Sequence, residues 1–317
     1  MIIGTRGSKL AVRQTEEVCK RLRECEQEQE QEQKLSYEIR RVPSLGDVMI
    51  DQSLSEMPEK GVFVKKLDKL LLCGEIDLAV HSMKDIPLER DEKLEIAAVL
   101  PRGSPYDAFV SKYKLDDLPD GAVIGTSSIR RKYQFMNYTE QKSIKVKMSE
   151  IRGNVETRIA KLRKGEYDGL ILAEAGLERL KLNLYIDYHC ERLDYDPFVP
   201  SPGQGIIAVV ARRGSDASKI LRAIDDSKTR IEADVEEAVL SVMGGGCSLP
   251  VGVHAYCNGD GAESEVKLAV YRGLSADSDT YKYNYNYVLE KTVIGLNKDK
   301  DLYLEEAREF IKDIQLV

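Results

Sequence analysis

The sequence has 317 residues, with 47 lysines and arginines against 54 aspartates and glutamates, so its net charge is −7. This acidic balance disfavours a protein that binds nucleic acid through bulk charge, and no apolar stretch approaches the ~20 residues of a membrane span. The length allows two or three domains with a large core. Six cysteines without a CxxC pair, together with the absence of a signal-peptide pattern, favour a reduced, cytoplasmic protein.

The first hundred residues predict strands that alternate with helices. Residues 2–5 form an apolar, β-branched strand, and Ser8 is the predicted N-cap of the helix that follows. That helix buries the face formed by residues spaced three and four apart, Ala11, Thr15, Val18, Leu22 and Cys25. Further strands are predicted at 37–42 and 77–82, with a helix at 60–72 between them. The alternation is typical of a parallel α/β sheet.

A short internal echo predicts that the chain contains two such lobes. The letters IGT at residues 3–5 recur at 124–126, and GEID at 74–77 resembles GEYD at 165–168. Each lobe would then have a first strand that ends in a hydroxyl-rich helix N-terminus. Such ends bind anions, because unpaired backbone N–H groups and the helix dipole both point at the ligand.

The last third of the chain changes character. The turn sequence PSPGQG at 200–205 precedes an apolar run at 206–211, which predicts a return of the chain into the first lobe. Beyond about residue 225 follow a helix, a glycine-rich loop, three alternating segments at 251–255, 266–271 and 281–288, and a final helix. NGDG at 258–261 predicts a hairpin turn. This pattern indicates a small α+β domain with an antiparallel sheet.

The segment HSMKDIP at 81–87 follows a buried strand and carries a candidate catalytic carboxylate. Ligands of open α/β sheets bind at the carboxyl edge of the strands, so Asp85 could act on a ligand there with Lys84 as a counter-charge for an anion. The alternative is a simple turn that Pro87 closes. His81 lies within the apolar strand, where a core histidine with satisfied hydrogen bonds is expected rather than a base.

A group of arginines indicates an anionic ligand. Arg130 and Arg131 follow a Thr-Ser-Ser sequence at a predicted helix start, and Arg152 opens a later helix that also contains Arg158. Positive charge at a helix N-terminus opposes the helix dipole, so a polyanion explains these residues, as does Arg6 after the first strand. Planar guanidinium groups suit carboxylates and phosphates. A solvated surface is the alternative interpretation.

Cys247 lies in the glycine-rich loop that follows a helix. A thiol on an accessible loop can act as a nucleophile or as an attachment point, whereas a buried cysteine at a helix C-cap is the alternative. No histidine lies nearby in sequence, so a protease-like dyad is not supported. The three histidines are scattered and no Cys/His spacing fits a metal, so no metal site is predicted.

Seven segments, in the same order, resemble the porphobilinogen deaminase family, also called hydroxymethylbilane synthases. They are IGTRGSKLA, KGVFVKKL, DLAVHSMKDIP, GTSSIRRK, IRGNVETRIAKL, PSPGQG and GGGCSLPVG, and they span residues 3–252. The resemblance implies two α/β lobes like those of type II periplasmic binding proteins, flanking a cleft. The first lobe would comprise residues 1–100 and 201–222, the second residues 101–200, and a C-terminal α+β domain residues 223–317.

The resemblance also implies an activity. The family joins four porphobilinogen molecules head to tail into hydroxymethylbilane with release of ammonia, on a covalent dipyrromethane cofactor that a thioether would attach to Cys247. Asp85 matches the catalytic aspartate. The positions that match cofactor- or substrate-binding residues are Arg6, Ser8, Ser82, Lys84, Thr126, Ser127, Ser128, Arg130, Arg131, Arg152, Arg158 and Gln204. Porphobilinogen is then the small-molecule partner of a monomer, with no nucleic-acid or membrane partner.

Two other classes of protein fit part of the pattern. A two-lobed binding protein for a carboxylated small molecule would explain the echo and the arginines. A cysteine-dependent acyl-transfer enzyme would explain Cys247. The first predicts that Cys247→Ser leaves function intact, and the second that a thioester forms at Cys247.

Overall fold

The structure is a computed structural model that describes residues 1–28, 36–42, 62–182, 184, 186–243, 250–258, 265–273, 287–295 and 300–315. Cys247, the tip of the predicted hairpin at 259–261 and residues 281–286 lie outside these ranges. Within them, none of the helices combines the length and the apolar character that crossing a bilayer requires.

The helices and strands alternate along most of the chain. The first group is β1 (Ile2–Arg6), α1 (Lys9–Glu28), β2 (Glu38–Val42), α2 (Val62–Leu72), β3 (Leu78–Ser82) and β4 (Leu94–Val99). The second group is β5 (Asp107–Ser111), β6 (Ala122–Gly125), α3 (Ile129–Gln141), β7 (Val146–Ser149), α4 (Val155–Arg163), β8 (Gly169–Ala173), α5 (Glu174–Leu180) and β9 (His189–Leu193). The last group is β10 (Ile207–Arg212), α6 (Asp216–Leu221), α7 (Ser227–Val242), β11 (Val251–Asn258), β12 (Glu265–Gly273), β13 (Tyr287–Gly295) and α8 (Lys300–Gln315).

The first sheet has the strand order β2-β1-β3-β10-β4. Strands β1, β2 and β3 are parallel, as the sequence predicts, but β10 runs antiparallel to both β3 and β4. The chain returns at residue 207 from the carboxyl edge of β3, where Ile207 pairs with Ser82, so the inserted strand can only run the other way. The predicted return into the first lobe is confirmed.

The second sheet repeats this arrangement with the order β7-β6-β8-β5-β9. Its strands β6, β7 and β8 are parallel, and β5 is antiparallel to its two neighbours. The echo in the sequence has a structural basis, because Asp77 Oδ2 accepts the N–H of Ile2 at 2.7 Å and Asp168 Oδ2 accepts that of Val123 at 2.8 Å. Each aspartate thus fixes the corresponding parallel strand of its sheet, β1 in the first and β6 in the second. The predicted pair of α/β lobes is confirmed.

Helix α1 shows how the sequence pattern becomes packing. The N–H of Ala11 donates to Ser8 Oγ at 3.3 Å, which confirms the predicted cap. Val18 and Leu22 are buried against one face of the first sheet together with Ile3 and Val80. A fully buried aliphatic side chain of this size contributes about 1.5–3 kcal/mol, so this stripe is what holds the helix on the sheet.

The third sheet is antiparallel, with the order β11-β12-β13. The pairing of Asn258 with Glu265 is consistent with the predicted hairpin, although the turn itself lies outside the described residues. The third strand is described over Tyr287–Gly295, where it pairs residue for residue with the nine residues of β12, and residues 281–286 of the predicted segment lie outside the described residues. Val239 on α7 and Ala307 on α8 are fully buried in the core beneath this sheet.

The chain divides into two compact units, residues 1–103 with 205–230 and residues 104–204 with 231–317. The first unit contains the first sheet, and the second contains the other two. The α/β class with a small antiparallel C-terminal sheet is confirmed. The sequence predicts three domains where the structure divides into two units, so the predicted domain boundaries stay a prediction.

Candidate active site

The carboxyl edge of the first sheet brings two of the predicted residues together. Arg6 ends β1, and the 3-10 turn Met83–Asp85 follows directly on β3. Because β1 and β3 are parallel, both ends lie at the same edge. Arg6 Nη1 lies 3.8 Å from Asp85 Oδ2, with 37% and 48% of the two side chains exposed. An exposed pair at this distance adds little stability, so the Asp85 carboxylate remains accessible to a ligand.

The hydroxyl groups of this edge have partners within the protein. Ser8 Oγ caps α1, and Gln14 Nε2 donates to Ser82 Oγ at 2.8 Å. Gln14 is itself buried. Lys84 lies half-buried in the turn beside Asp85. The predicted ligand contacts of these residues stay predictions.

His81 is not the satisfied core histidine that the sequence suggests. It is 4% exposed, and its Nε2 has no hydrogen-bond partner in the part of the chain that the structure describes. Burial, together with the positive charges of Arg6 and Arg90, lowers the pKa of His81 to about 4. The imidazole is therefore neutral at physiological pH. It lies in an electropositive environment beneath the edge that carries Asp85.

The second sheet presents a similar edge after β6. Thr126 is buried and its Oγ1 accepts the N–H of Ser128 at 3.2 Å, while Ser127 is exposed. Ser128 is the N-cap of α3, since its side chain accepts the N–H of Arg131. The hydroxyl-rich helix start predicted from the sequence is thus present.

Arg130 and Arg131 form a buried network with an acid that sequence reasoning did not identify. Asp107, the first residue of β5, is 1% exposed and lies 2.8 Å from Arg130 Nη1 and 2.7 Å from Arg131 Nη2. Burial alone would raise the pKa of Asp107, but the two guanidinium charges and the hydrogen bonds from Arg130 and Gln204 hold it well below its usual range. Two cations therefore share one anion.

Gln204 completes this network. Its Nε2 donates to Asp107 Oδ1 at 2.8 Å and to the Pro105 carbonyl at 2.7 Å, and its Oε1 accepts from Arg131 Nη2 at 3.2 Å. The remaining Arg130 contacts are the Gln134 side chain and the Val199 carbonyl. Arginines at a helix start predict a nearby anion, and Asp107 supplies one from within the protein.

Arg152 and Arg158 are placed differently, on the exposed approach to α4. Asn154 caps that helix by accepting the N–H of Thr157 at 2.9 Å. Arg152 Nε donates to Glu150 at 2.7 Å with more than half of both side chains exposed, and Arg158 Nε donates to the Gly153 carbonyl at 2.8 Å. Solvent-exposed guanidinium groups of this kind can exchange such contacts for those of a ligand at little cost.

The described residues include no cluster of histidine, cysteine and acidic side chains that could hold a metal ion. Cys247 lies outside the described residues, but the elements on either side of its loop are defined. Helix α7 ends at Val242 and β11 begins at Val251. The loop therefore connects α7 to an edge strand of the third sheet.

The fold and these side chains define a class of protein. It is an α/β protein with two five-stranded lobes, each of which carries cations and hydroxyls at the carboxyl edge of its parallel strands, the chemistry that binds carboxylates.

Comparison with known proteins defines the family. Residues 1–220 match the family model described as porphobilinogen deaminase, dipyromethane cofactor binding domain. A probable porphobilinogen deaminase of Archaeoglobus fulgidus is 39% identical over 317 residues, which cover 99% of this chain and 97% of that protein. One of Methanocella arvoryzae is 47% identical over 262 residues, 82% of this chain and 81% of the relative. The chain belongs to the porphobilinogen deaminase family.

Among solved structures, the periplasmic VFT2 domain of Bordetella pertussis BvgS is similar with a TM-score of 0.40 and 14% identity, covering 75% of this chain and 90% of that one. The family match does not favour the alternative of a two-lobed binding protein. It also gives the chain a dipyrromethane-binding domain, as the resemblance implies.

Proposed function

We propose that this protein is a transferase, a hydroxymethylbilane synthase, that condenses four porphobilinogen molecules head to tail and releases four molecules of ammonia. The observation that carries the proposal is the placement of an accessible Asp85 beside Arg6 at the carboxyl edge of the first sheet, in a chain of this family. A monomeric state and a cytoplasmic location belong to the same proposal.

The donor set fits a dipyrromethane cofactor attached to Cys247. Each pyrrole of such a group carries an acetate and a propionate, so two pyrroles present four carboxylates. Each lobe, taken by itself, carries cations that suit such carboxylates: Arg6 and Lys84 at the edge of the first sheet, and in the second lobe Arg152 before α4 and Arg158 on it. When bound, the cofactor supplies the pyrrole carbon to which the first substrate unit is joined.

Asp85 is the residue proposed to act on the reacting substrate. Loss of ammonia breaks the bond between the aminomethyl carbon and its nitrogen, and the resulting cation is delocalised onto the pyrrole nitrogen. A carboxylate beside that nitrogen stabilises the positive charge and can accept the proton released when the new carbon–carbon bond has formed. Arg6 Nη1 lies 3.8 Å from Asp85 Oδ2, so a cation stands at the same edge of the sheet as this carboxylate.

The first experiment is an intact-mass comparison of the purified protein, Cys247→Ser and the control Cys73→Ser, since Cys73 is an exposed cysteine on the same chain. We expect an added mass equal to a dipyrromethane in the wild type and in Cys73→Ser, but not in Cys247→Ser. If the wild type lacks this mass, it is reweighed after incubation with porphobilinogen. Continued absence contradicts the proposed cofactor.

The role of Asp85 is tested by Asp85→Ala, with Glu89→Gln as the control because Glu89 is an exposed carboxylate in the same connection. Asp85 is solvent-exposed, so the variant is expected to keep its fold and its cofactor mass while consumption of porphobilinogen is nearly abolished. Near-normal turnover in Asp85→Ala would refute the catalytic role.

A further inference from the structure

Helix α7 carries two buried carboxylates that bind the backbone of β11. Glu236 Oε1 accepts the N–H of Ala255 at 2.8 Å, and Glu232 Oε1 accepts that of Cys257 at 3.0 Å. Both side chains are at most 3% exposed. Since β11 is an edge strand of the third sheet, its outward N–H groups lack a neighbouring strand, and these carboxylates take the place of one.

The same two elements flank the loop that contains Cys247. Helix α7 ends at Val242 immediately before the loop, and β11 begins at Val251 after it. The Glu236 and Glu232 contacts therefore join the two stems of the loop to each other. Hydrogen bonds to charged oxygens are about twice as strong as neutral ones, so these two contacts stabilise the connection between the stems.

Glu236 has a second contact that Glu232 does not share among the described hydrogen bonds. Its Oε2 accepts the N–H of Gly203 at 2.6 Å in a buried position. The next residue is Gln204, whose side-chain amide holds Asp107 and Arg131. A continuous set of hydrogen bonds thus runs from β11 through Glu236 and the turn to the buried arginine network.

We propose that Glu236 is a positioning residue that fixes Arg131 relative to the stem of the Cys247 loop by holding the Gly203–Gln204 turn. The proposal rests on the proposed function for the ligand of Arg131. Without this carboxylate the turn loses the acceptor for Gly203, so the positions of Gln204 and of the Arg131 guanidinium that it binds are less tightly fixed. The arginine and the stem formed by α7 and β11 would no longer keep a constant separation.

The test compares Glu236→Met with the matched control Glu232→Met. Both variants remove a buried carboxylate from the same helix and one acceptor from the same strand, but only the first removes the acceptor of Gly203. Hydrogen exchange of the peptide containing residues 201–204 reports the turn directly, without requiring activity. We expect faster exchange there in Glu236→Met and wild-type exchange in Glu232→Met.

The kinetic test measures the Michaelis constant for porphobilinogen and the turnover number of each variant. We expect Glu236→Met to raise KM about tenfold, equivalent to about 1.4 kcal/mol, with a smaller change in kcat, while Glu232→Met keeps KM within about twofold of wild type. If Gln204 transmits the effect, Gln204→Ala and Glu236→Met are non-additive. If a Met variant does not fold, the same comparison is made with Glu236→Gln and Glu232→Gln.

Three results would overturn the proposal. They are unchanged exchange at residues 201–204 in Glu236→Met, an equal KM increase in Glu232→Met, and additivity with Gln204→Ala. Failure of the proposed function is separate, because the wild type would then neither consume porphobilinogen nor carry the added mass. In that case the exchange experiment still decides whether Glu236 holds the turn.

Discussion

Replacing Asp107 with asparagine removes the anion that two buried arginines share. The carboxylate binds Arg130 at 2.8 Å and Arg131 at 2.7 Å, and it also accepts from Gln204 at 2.8 Å. Asparagine has nearly the same shape but no charge and a single acceptor oxygen. Asp107→Asn therefore leaves two guanidinium groups buried without a counter-charge.

The cost follows from the desolvation of those charges. Breaking a buried ion pair by removing one partner costs about 3–5 kcal/mol, and here both pairs are lost at once. We expect the free energy of unfolding to fall by at least about 4 kcal/mol, a large fraction of the 5–15 kcal/mol typical of a folded protein. At roughly 2–4 °C per kcal/mol, the melting temperature should fall by about 10 °C.

The stability that Asp107 contributes is also expected to decrease as the pH falls. The pKa of Asp107 is lower in the folded protein than in the unfolded chain, so its contribution to stability is complete above pH about 4 and is lost as the pH falls towards the folded value. The wild type should therefore be much more stable than Asp107→Asn at pH 7 and pH 5. The difference should narrow below pH about 4.

The assay is chemical denaturation of wild type and Asp107→Asn at pH 7, 5 and 3, with Glu150→Gln as the control. Glu150 also pairs with an arginine, but that pair is exposed and should contribute no more than about 1 kcal/mol. A loss of less than about 1 kcal/mol in Asp107→Asn at pH 7 would refute the argument that the network depends on this charge.

Two further predictions concern stability. The pKa of His81 is about 4 in the folded protein and 6.5 in the unfolded chain, so the free energy of unfolding of the wild type should fall by about 3 kcal/mol between pH 6.5 and pH 4. The loss in His81→Gln should be smaller over that range. Parallel pH profiles of the free energy of unfolding for the two proteins would contradict this. Gly252→Ala would place a Cβ 2.6 Å from the Val199 carbonyl oxygen, so we expect a loss of about 1–3 kcal/mol in thermal unfolding. An unchanged midpoint would show that this backbone approach can relax.

Local sequence patterns predicted the elements well because their causes are local. The Ser8 cap and the 3.6-residue stripe of α1 depend only on neighbouring residues, and the apolar run of β3 identifies a buried strand wherever it lies. The direction of β10 was not predictable in this way. It depends on where the chain leaves the second unit, which is a property of the whole fold.

The site was predictable in its residue types but not in its partners. Arginines at a helix start indicate an anion, and the anion is Asp107, which lies 23 residues before Arg130. In the sequence, Asp107 looks like any other charged residue at the start of a strand. Glu236 is less visible still, because its contacts are to the backbone N–H groups of Gly203 and Ala255, which any sequence provides. The assignment of Cys247 depends on the family resemblance alone.

The internal anion changes what the arginine pair can do for a carboxylated ligand. If a ligand alone compensated Arg130 and Arg131, both guanidinium groups would have to be ordered when it bound, which costs about 0.5–1.5 kcal/mol for each such side chain. Asp107 and Gln204 order them beforehand, so that cost is met during folding. Because Asp107 neutralises only one of the two charges, the network keeps a net positive charge beside the N-terminus of α3, where the helix dipole adds to it. On the proposed function, a protein of net charge −7 thus presents an ordered site for carboxylates without being basic overall.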